Sequence, residues 1–122
     1  MSAVAPTAEA IKAFTELPDT GPVVMVNLLK FKPNGGAQSY AKYAQAVLKM
    51  MEAMGGKAVF SGQVEGTVIG DRTWDAILLV QYPSRKAFLD MIADPEYQKH
   101  HVHREEALVA AELYATHSGS IA

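Results

Sequence analysis

Residues Val23–Phe31 read VVMVNLLKF, apolar throughout except for Asn27 and Lys30. An unbroken run of β-branched and long apolar side chains suits a strand in the middle of a sheet. Gly21-Pro22 before it and Pro33-Asn34-Gly35-Gly36 after it are turn formers that bound the run. Residues 74–82 (WDAILLVQY) repeat the pattern and predict a second central strand.

From about Ser39, the residues Tyr40, Tyr43, Ala44, Val47, Met51 and Met54 recur at helical spacing. Lys42, Gln45, Lys49 and Glu52 fall opposite them, and Gly55-Gly56 supplies a stop. Residues 58–69 alternate like a half-buried strand, and Gly70-Asp71 turns the chain into 74–82, which makes a hairpin. Pro83-Ser84 opens a helix carrying Phe88, Met91 and Ile92. Asp94-Pro95 reads as the N-cap and first turn of another that runs past the histidines. Residues 109–116 close the pattern as a strand, although Ala110, Ala111 and Glu112 suit a helix as well. Near the start, Pro6 and Thr7 precede Ile11, Phe14 and Leu17, a short amphipathic helix stopped at Pro18.

The expected organisation is a helical appendage over residues 1–20 and one domain over 21–118, with the order βαββαβ. That split βαβ order predicts an α+β, ferredoxin-like fold: a four-stranded antiparallel sheet with its helices on one face. Alternate side chains of a strand point to opposite faces. One parity collects Val23, Met25, Asn27, Leu29, Phe31, Ala58, Phe60, Gly62, Trp74, Ala76, Leu78, Val80, Tyr82, Ala111 and Leu113, which is apolar apart from Asn27. This face should lie under the helices. The other parity mixes Val24, Val26, Leu28, Ile77 and Leu79 with Lys30, Gln63, Glu65, Gln81 and Glu112. It is too greasy to stay wet on a monomer, so a homodimer formed through the sheet face is expected. A β-bulge would reverse the parity beyond it.

The 122 residues carry a formal charge of −2 and no basic run, which argues against nucleic-acid or anionic-membrane partners. No cysteine is present, so disulfides, thiolate nucleophiles and Cys-ligated metals are excluded. A reducing cytoplasm is the default location, since neither a signal peptide nor a membrane span is legible.

Two inward polar residues carry the functional expectation. An asparagine at 27 among Met25, Leu29, Leu78 and Val80 costs about 1–3 kcal/mol unless its amide finds partners. It is either satisfied by the main chain or faces a pocket. On the histidine-bearing helix, Tyr97, His101, Arg104 and Leu108 fall on one face, so His101 points inward while His100 and His103 lie on an adjacent or outer face. An inward histidine is commonly a hydrogen-bonded core residue, yet its ordinary pKa makes His101 the evident acid or base of this chain. In the functional reading His101 and Asn27 are catalytic. Arg104, Tyr97, Tyr40, Tyr43, Trp74 and Tyr82 are substrate-binding walls, although core packing explains the aromatic residues equally well. No metal site is expected, because no carboxylate completes a motif with the histidines. Ser84 reads as an N-cap and not as a nucleophile.

The segments VVMVNLLKF, Gly36 through Tyr40 to Tyr43, WDAILLVQYPSRKAF and DPEYQKHHVHR resemble the dimeric α/β-barrel superfamily and, within it, the bacterial domain of unknown function family 1330. The resemblance implies the fold and a dimer, and carries no activity. More distantly, the chain is similar to haem-degrading monooxygenases of the same fold, which place an asparagine on the first strand and a haem-ligating histidine in the second-helix region. Asn27 and His101 match these, while the tryptophan of those enzymes would fall at Met91. The expected function is small-molecule binding, with cofactor-independent catalysis in a pocket between sheet and helices. The alternatives are a haem-binding monooxygenase, for which haem is the cofactor, and a non-catalytic binding or structural dimer.

Overall fold

The computed structural model describes residues 5–119 and 121. Its elements are α1 (Ala8–Glu16), β1 (Val23–Phe31), α2 (Gly36–Ala53), β2 (Lys57–Gln63), β3 (Ala76–Tyr82), α3 (Arg85–Ala93), α4 (Pro95–Ala107) and β4 (Leu108–Thr116). The strands form one antiparallel sheet in the order β2-β3-β1-β4, the ferredoxin-like arrangement. The two runs read as central strands are the two inner strands, with Val23 opposite Tyr82 and Asn27 opposite Leu78.

Local chemistry fixes the ends of the helices. Thr7, Ser84 and Asp94 accept hydrogen bonds from Ala10, Ala87 and Glu96 main-chain N–H groups, each supplying a partner that a helix start lacks. Gly55 follows α2 with φ 84°, a conformation that costs glycine little, and Gly56 N–H returns to the Met51 carbonyl at 2.8 Å. The helix α2 begins at Gly36, earlier than the first apolar repeat suggested. Glycine is needed there: a Cβ would lie 2.7 Å from the Ala107 carbonyl oxygen, so the α2 start and the α4 end pass in close contact.

The core lies between the sheet and the helices and includes Val23, Met25, Leu29, Val80 and Tyr82 from the strands, with Tyr40, Tyr43, Val47, Met51, Phe88, Met91 and Tyr97 from the helices. The parity assignment therefore holds for β1 and β3. On the edge strands it holds for Ala58, Ala111 and Leu113, which lie on the helix side, and fails at a bulge in each strand. In β2, Ala58 pairs with Val80 but Phe60 with Leu79, so Val59 is an extra residue and the sides exchange beyond it. Phe60 and Gly62 turn to the outer face, where the Phe60 ring lies over Gly62, and Ser61 and Gln63 turn to the helix side. In β4 the extra residue is Val109, which puts Leu108 in the core and leaves Val109 exposed.

The hairpin is also looser than its sequence suggests. Residues 64–75 contain no strand; Asp75 N–H donates to the Leu29 carbonyl, its carbonyl accepts the Val64 N–H, and its Oδ2 accepts the Phe31 N–H at 2.8 Å. The helix α1 buries none of its residues; Phe14 meets the Phe88 ring edge-on at 5.7 Å. No helix among the described residues is long and apolar enough to cross a membrane.

Candidate functional site

The helices α2 and α4 pack on one another over the sheet, and both contribute residues to the core between the layers. The space this leaves is a cavity of about 1530 Å³, floored by the helix-facing side of the sheet and walled by α1, α2, α3 and α4. It exceeds the ~300–1,000 Å³ of ordinary small-molecule pockets.

Asn27 and His101 both line this cavity, as do Arg104, Tyr97, Tyr40, Tyr43 and Tyr82. Trp74 does not, and the expectation that it walls the cleft is corrected. It precedes β3, outside the regular strand alternation, and lies in a separate hollow on the outer face with Leu28, Ile77 and residues of the 64–72 loop.

The sheet floor supplies Asn27. Its Nδ2 donates to the Leu78 carbonyl at 3.2 Å and, more weakly, to the Met25 carbonyl at 3.5 Å. The donors of the amide are thus committed to the main chain, and its carbonyl oxygen is the group it can offer a ligand.

The wall opposite is a row of rings. Tyr40 and Tyr43 have centroids 5.3 Å apart, Tyr43 and Tyr97 6.1 Å, and Tyr97 and His101 5.9 Å. One hydroxyl of the Tyr43–Tyr97 pair donates to the other at 2.8 Å. Burial pushes the Tyr40 hydroxyl up to about 12, against the opposing pull of the Arg104 charge. Burial also raises Tyr43 and Tyr82, and Tyr82 Oη donates to Met91 Sδ at 3.7 Å. These phenols are neutral donors at ordinary pH.

His101 sits at the end of the row with its side chain 17% exposed and Nε2 3.7 Å from Glu105 Oε1. Burial lowers its pKa, Glu105 opposes that shift and Arg104 adds to it. The imidazole is accordingly neutral near pH 7. Its Nδ1 is buried with no hydrogen-bond partner.

A residue that sequence reasoning missed completes the lining. Arg85, in the first turn of α3, is buried; it donates to the Pro18 carbonyl at 2.5 Å and to Thr20 Oγ1 at 3.3 Å. It ties the segment after α1 to α3. Its place directly after the Ser84 cap fixes it near the β1 start, but nothing in the local pattern distinguishes it from the exposed Lys86 beside it. Among the described residues no three His, Asp or Glu side chains gather as a metal site would need.

The fold and the cavity define the class: a ferredoxin-like domain with a ligand-sized space between sheet and helices. The chain belongs to the family described as a domain of unknown function, DUF1330, which matches residues 35–116. A crystal structure of a protein of unknown function from Rhodopseudomonas palustris is 33% identical and superposes with a TM-score of 0.92, covering 98% of this chain and 99% of that one. A dabb family protein from Mesorhizobium loti shares the ferredoxin-like fold at 9% identity and TM-score 0.62, covering 83% of this chain and 100% of that one. A candidate antibiotic biosynthesis monooxygenase from Bacteroides thetaiotaomicron reaches TM-score 0.59 at 14% identity, over 80% of this chain and 89% of that one. The last two are likenesses of fold alone. No curated protein matches the chain.

Proposed function

We propose that this protein binds a small organic molecule in the cavity between sheet and helices and that His101 acts toward it as a base. The observation that carries the reading is the cavity of about 1530 Å³ that brings Asn27, His101, Arg104 and the tyrosines onto one lining. Burial lowers the His101 pKa, which leaves the imidazole in the neutral form that can take up a proton. Asn27 offers its carbonyl oxygen, the tyrosines supply ring faces and neutral donors, and Arg104 attracts negative charge. A base, donors and a cation suffice for proton transfer without a cofactor. The test is titration with the neutral, environment-sensitive dye N-phenyl-1-naphthylamine. Saturable one-to-one binding, lost in Ala44→Trp with unchanged circular dichroism, is the expected result. Absence of saturable binding, or binding indifferent to that substitution of a cavity-wall residue, overturns the proposal.

The haem alternative draws less support from the same residues. Where those enzymes carry tryptophan, Met91 is buried with its sulfur against Tyr82 Oη, and His101 Nε2 faces Glu105.

We further propose that two copies meet through the outer face of the sheet. Val24, Val26, Leu28, Ile77 and Leu79 are only half-buried there, and Phe60 and Tyr114 are 55% and 51% exposed. An apolar face of this extent on a small domain is normally covered. Light scattering should give a dimer mass for the parent chain and a monomer mass for Leu79→Lys. A concentration-independent monomer mass for the parent chain would sink this reading. The lack of cysteine supports the cytoplasm as its location, which fractionation of the native cell tests.

A further inference from the structure

On the reading of the cavity as a ligand site, we propose that α1 is its lid: the helix undocks to let the ligand pass and is packed in place by the ligand beneath it. What α1 faces and what it buries do not match. Ala10, Ile11, Phe14 and Leu17 line the cavity, whereas Glu9, Lys12 and Glu16 do not, so the apolar side of the helix is turned inward. Yet no residue of α1 is buried, and Leu17 is 48% exposed. An amphipathic helix is held by the surface its apolar stripe covers. Much of what lies under this stripe is the space of about 1530 Å³.

The attachments of α1 fit a part that moves. Phe14 meets the Phe88 ring of α3 edge-on at 5.7 Å. Among the described residues the side-chain hydrogen bonds of the helix stay within it and its cap: Thr7 Oγ1 accepts the Ala10 N–H, and Thr15 Oγ1 donates to the Ile11 carbonyl. A nine-residue helix does not persist alone in water, so undocking and unravelling are one event, and a segment with little buried area opens at low cost.

The foot of the lid is fixed. Just beyond the end of α1, the buried Arg85 of α3 donates to the Pro18 carbonyl at 2.5 Å and to Thr20 Oγ1 at 3.3 Å. Opening is thereby restricted to the residues before Pro18, which are those that cover the cavity. An apolar ligand seated under Ile11 and Phe14 supplies the cover their side of the helix lacks, so binding and closure favour one another. Passage in either direction then waits on the opening of α1.

The test weakens α1 without altering the cavity lining. Ala13 is exposed and lies outside that lining, and glycine in mid-helix should raise the open fraction about fivefold. In stopped-flow mixing of the full chain with N-phenyl-1-naphthylamine, Ala13→Gly should speed both association and dissociation about fivefold and leave their ratio within about twofold. By hydrogen exchange, the α1 amides of the free parent chain should exchange faster than those of α2, and saturating dye should slow them at least about fivefold. Should Ala13→Gly not fold, the exchange measurement on the parent chain decides. Saturable dye binding with unchanged rates in Ala13→Gly, with dissociation alone accelerated, or with no protection of α1 overturns the lid and leaves the cavity reading intact. A parent chain that shows no saturable binding of the dye overturns both.

Discussion

Tyr43→Phe removes one of two hydroxyls that meet at 2.8 Å between buried rings, and Tyr97→Phe removes the other. Each single substitution loses a bond worth about 0.5–1.5 kcal/mol net and leaves the surviving hydroxyl short of a partner, a further cost of about 1 kcal/mol where cavity water relieves part of it. Each should therefore destabilise by about 2 kcal/mol. The double substitution removes both hydroxyls and strands neither, so its cost should be only about 0.5–1 kcal/mol. The cycle then shows a coupling near 3 kcal/mol, well above the ~0.5 kcal/mol expected of independent sites. Urea denaturation at one protein concentration measures this, and fixing the concentration matters if the chain self-associates. By calorimetry the single variants should melt about 6–8 °C lower and the double variant within about 3 °C of the parent chain. Additive costs would show that the two hydroxyls do not depend on each other and that water serves each separately.

Gly36→Ala should destabilise by about 1–3 kcal/mol even though alanine usually improves a helix, because its Cβ meets the Ala107 carbonyl at 2.7 Å; a gain in urea stability would refute the close contact. Folded Tyr40 keeps its proton up to about 12 while the unfolded chain releases it near 10, so stability should hold below that lower pH and fall across the interval by up to about 1.4 kcal/mol per pH unit. Tyr43 and Tyr82 shift the same way, and Tyr40→Phe should make the alkaline decline shallower. His101 has the opposite sense. Its lowered pKa means stability is present above about 6.5 and lost as the pH falls, and His101→Gln should flatten that acid limb in urea titrations. Titration with haemin should yield no Soret shift that depends on His101, and a shift abolished in His101→Ala would favour the monooxygenase reading.

The inner half of the sheet was legible because β1 and β3 are flanked by strands on both sides and keep strict alternation, so Met25, Leu29 and Val80 declared their face. Asn27 stood out against that background, and the shared face of Tyr97, His101 and Arg104 followed from helical spacing. All four line one cavity. The edge strands were legible only in part: Ala58, Ala111 and Leu113 face the helices as their parity predicts, whereas Phe60, Gly62 and Val109 do not. An extra residue at Val59 or Val109 leaves the local pattern of polar and apolar residues unchanged and alters only the pairing, which is a property of two strands together. Trp74 was misplaced because strand propensity extends back through residues 74–75, whereas β3 begins only at Ala76 and the Asp75 side chain is engaged with the Phe31 N–H. Arg85 could not be found for a similar reason: its burial depends on the Pro18 and Thr20 oxygens that the returning chain brings to it.

The two bulges have a bearing on aggregation. β2 and β4 are the open margins of the sheet, and each holds its extra residue, Val59 or Val109, partway along the strand. A straight margin is a template on which another chain can lay a strand, and repetition of that step builds fibrils. A kink in the margin spoils the template, and Lys57 at the head of β2 adds charge to it. Edge-on accretion is thereby discouraged on both sides, and in the proposed dimer the broad sheet face takes one partner and is then used up.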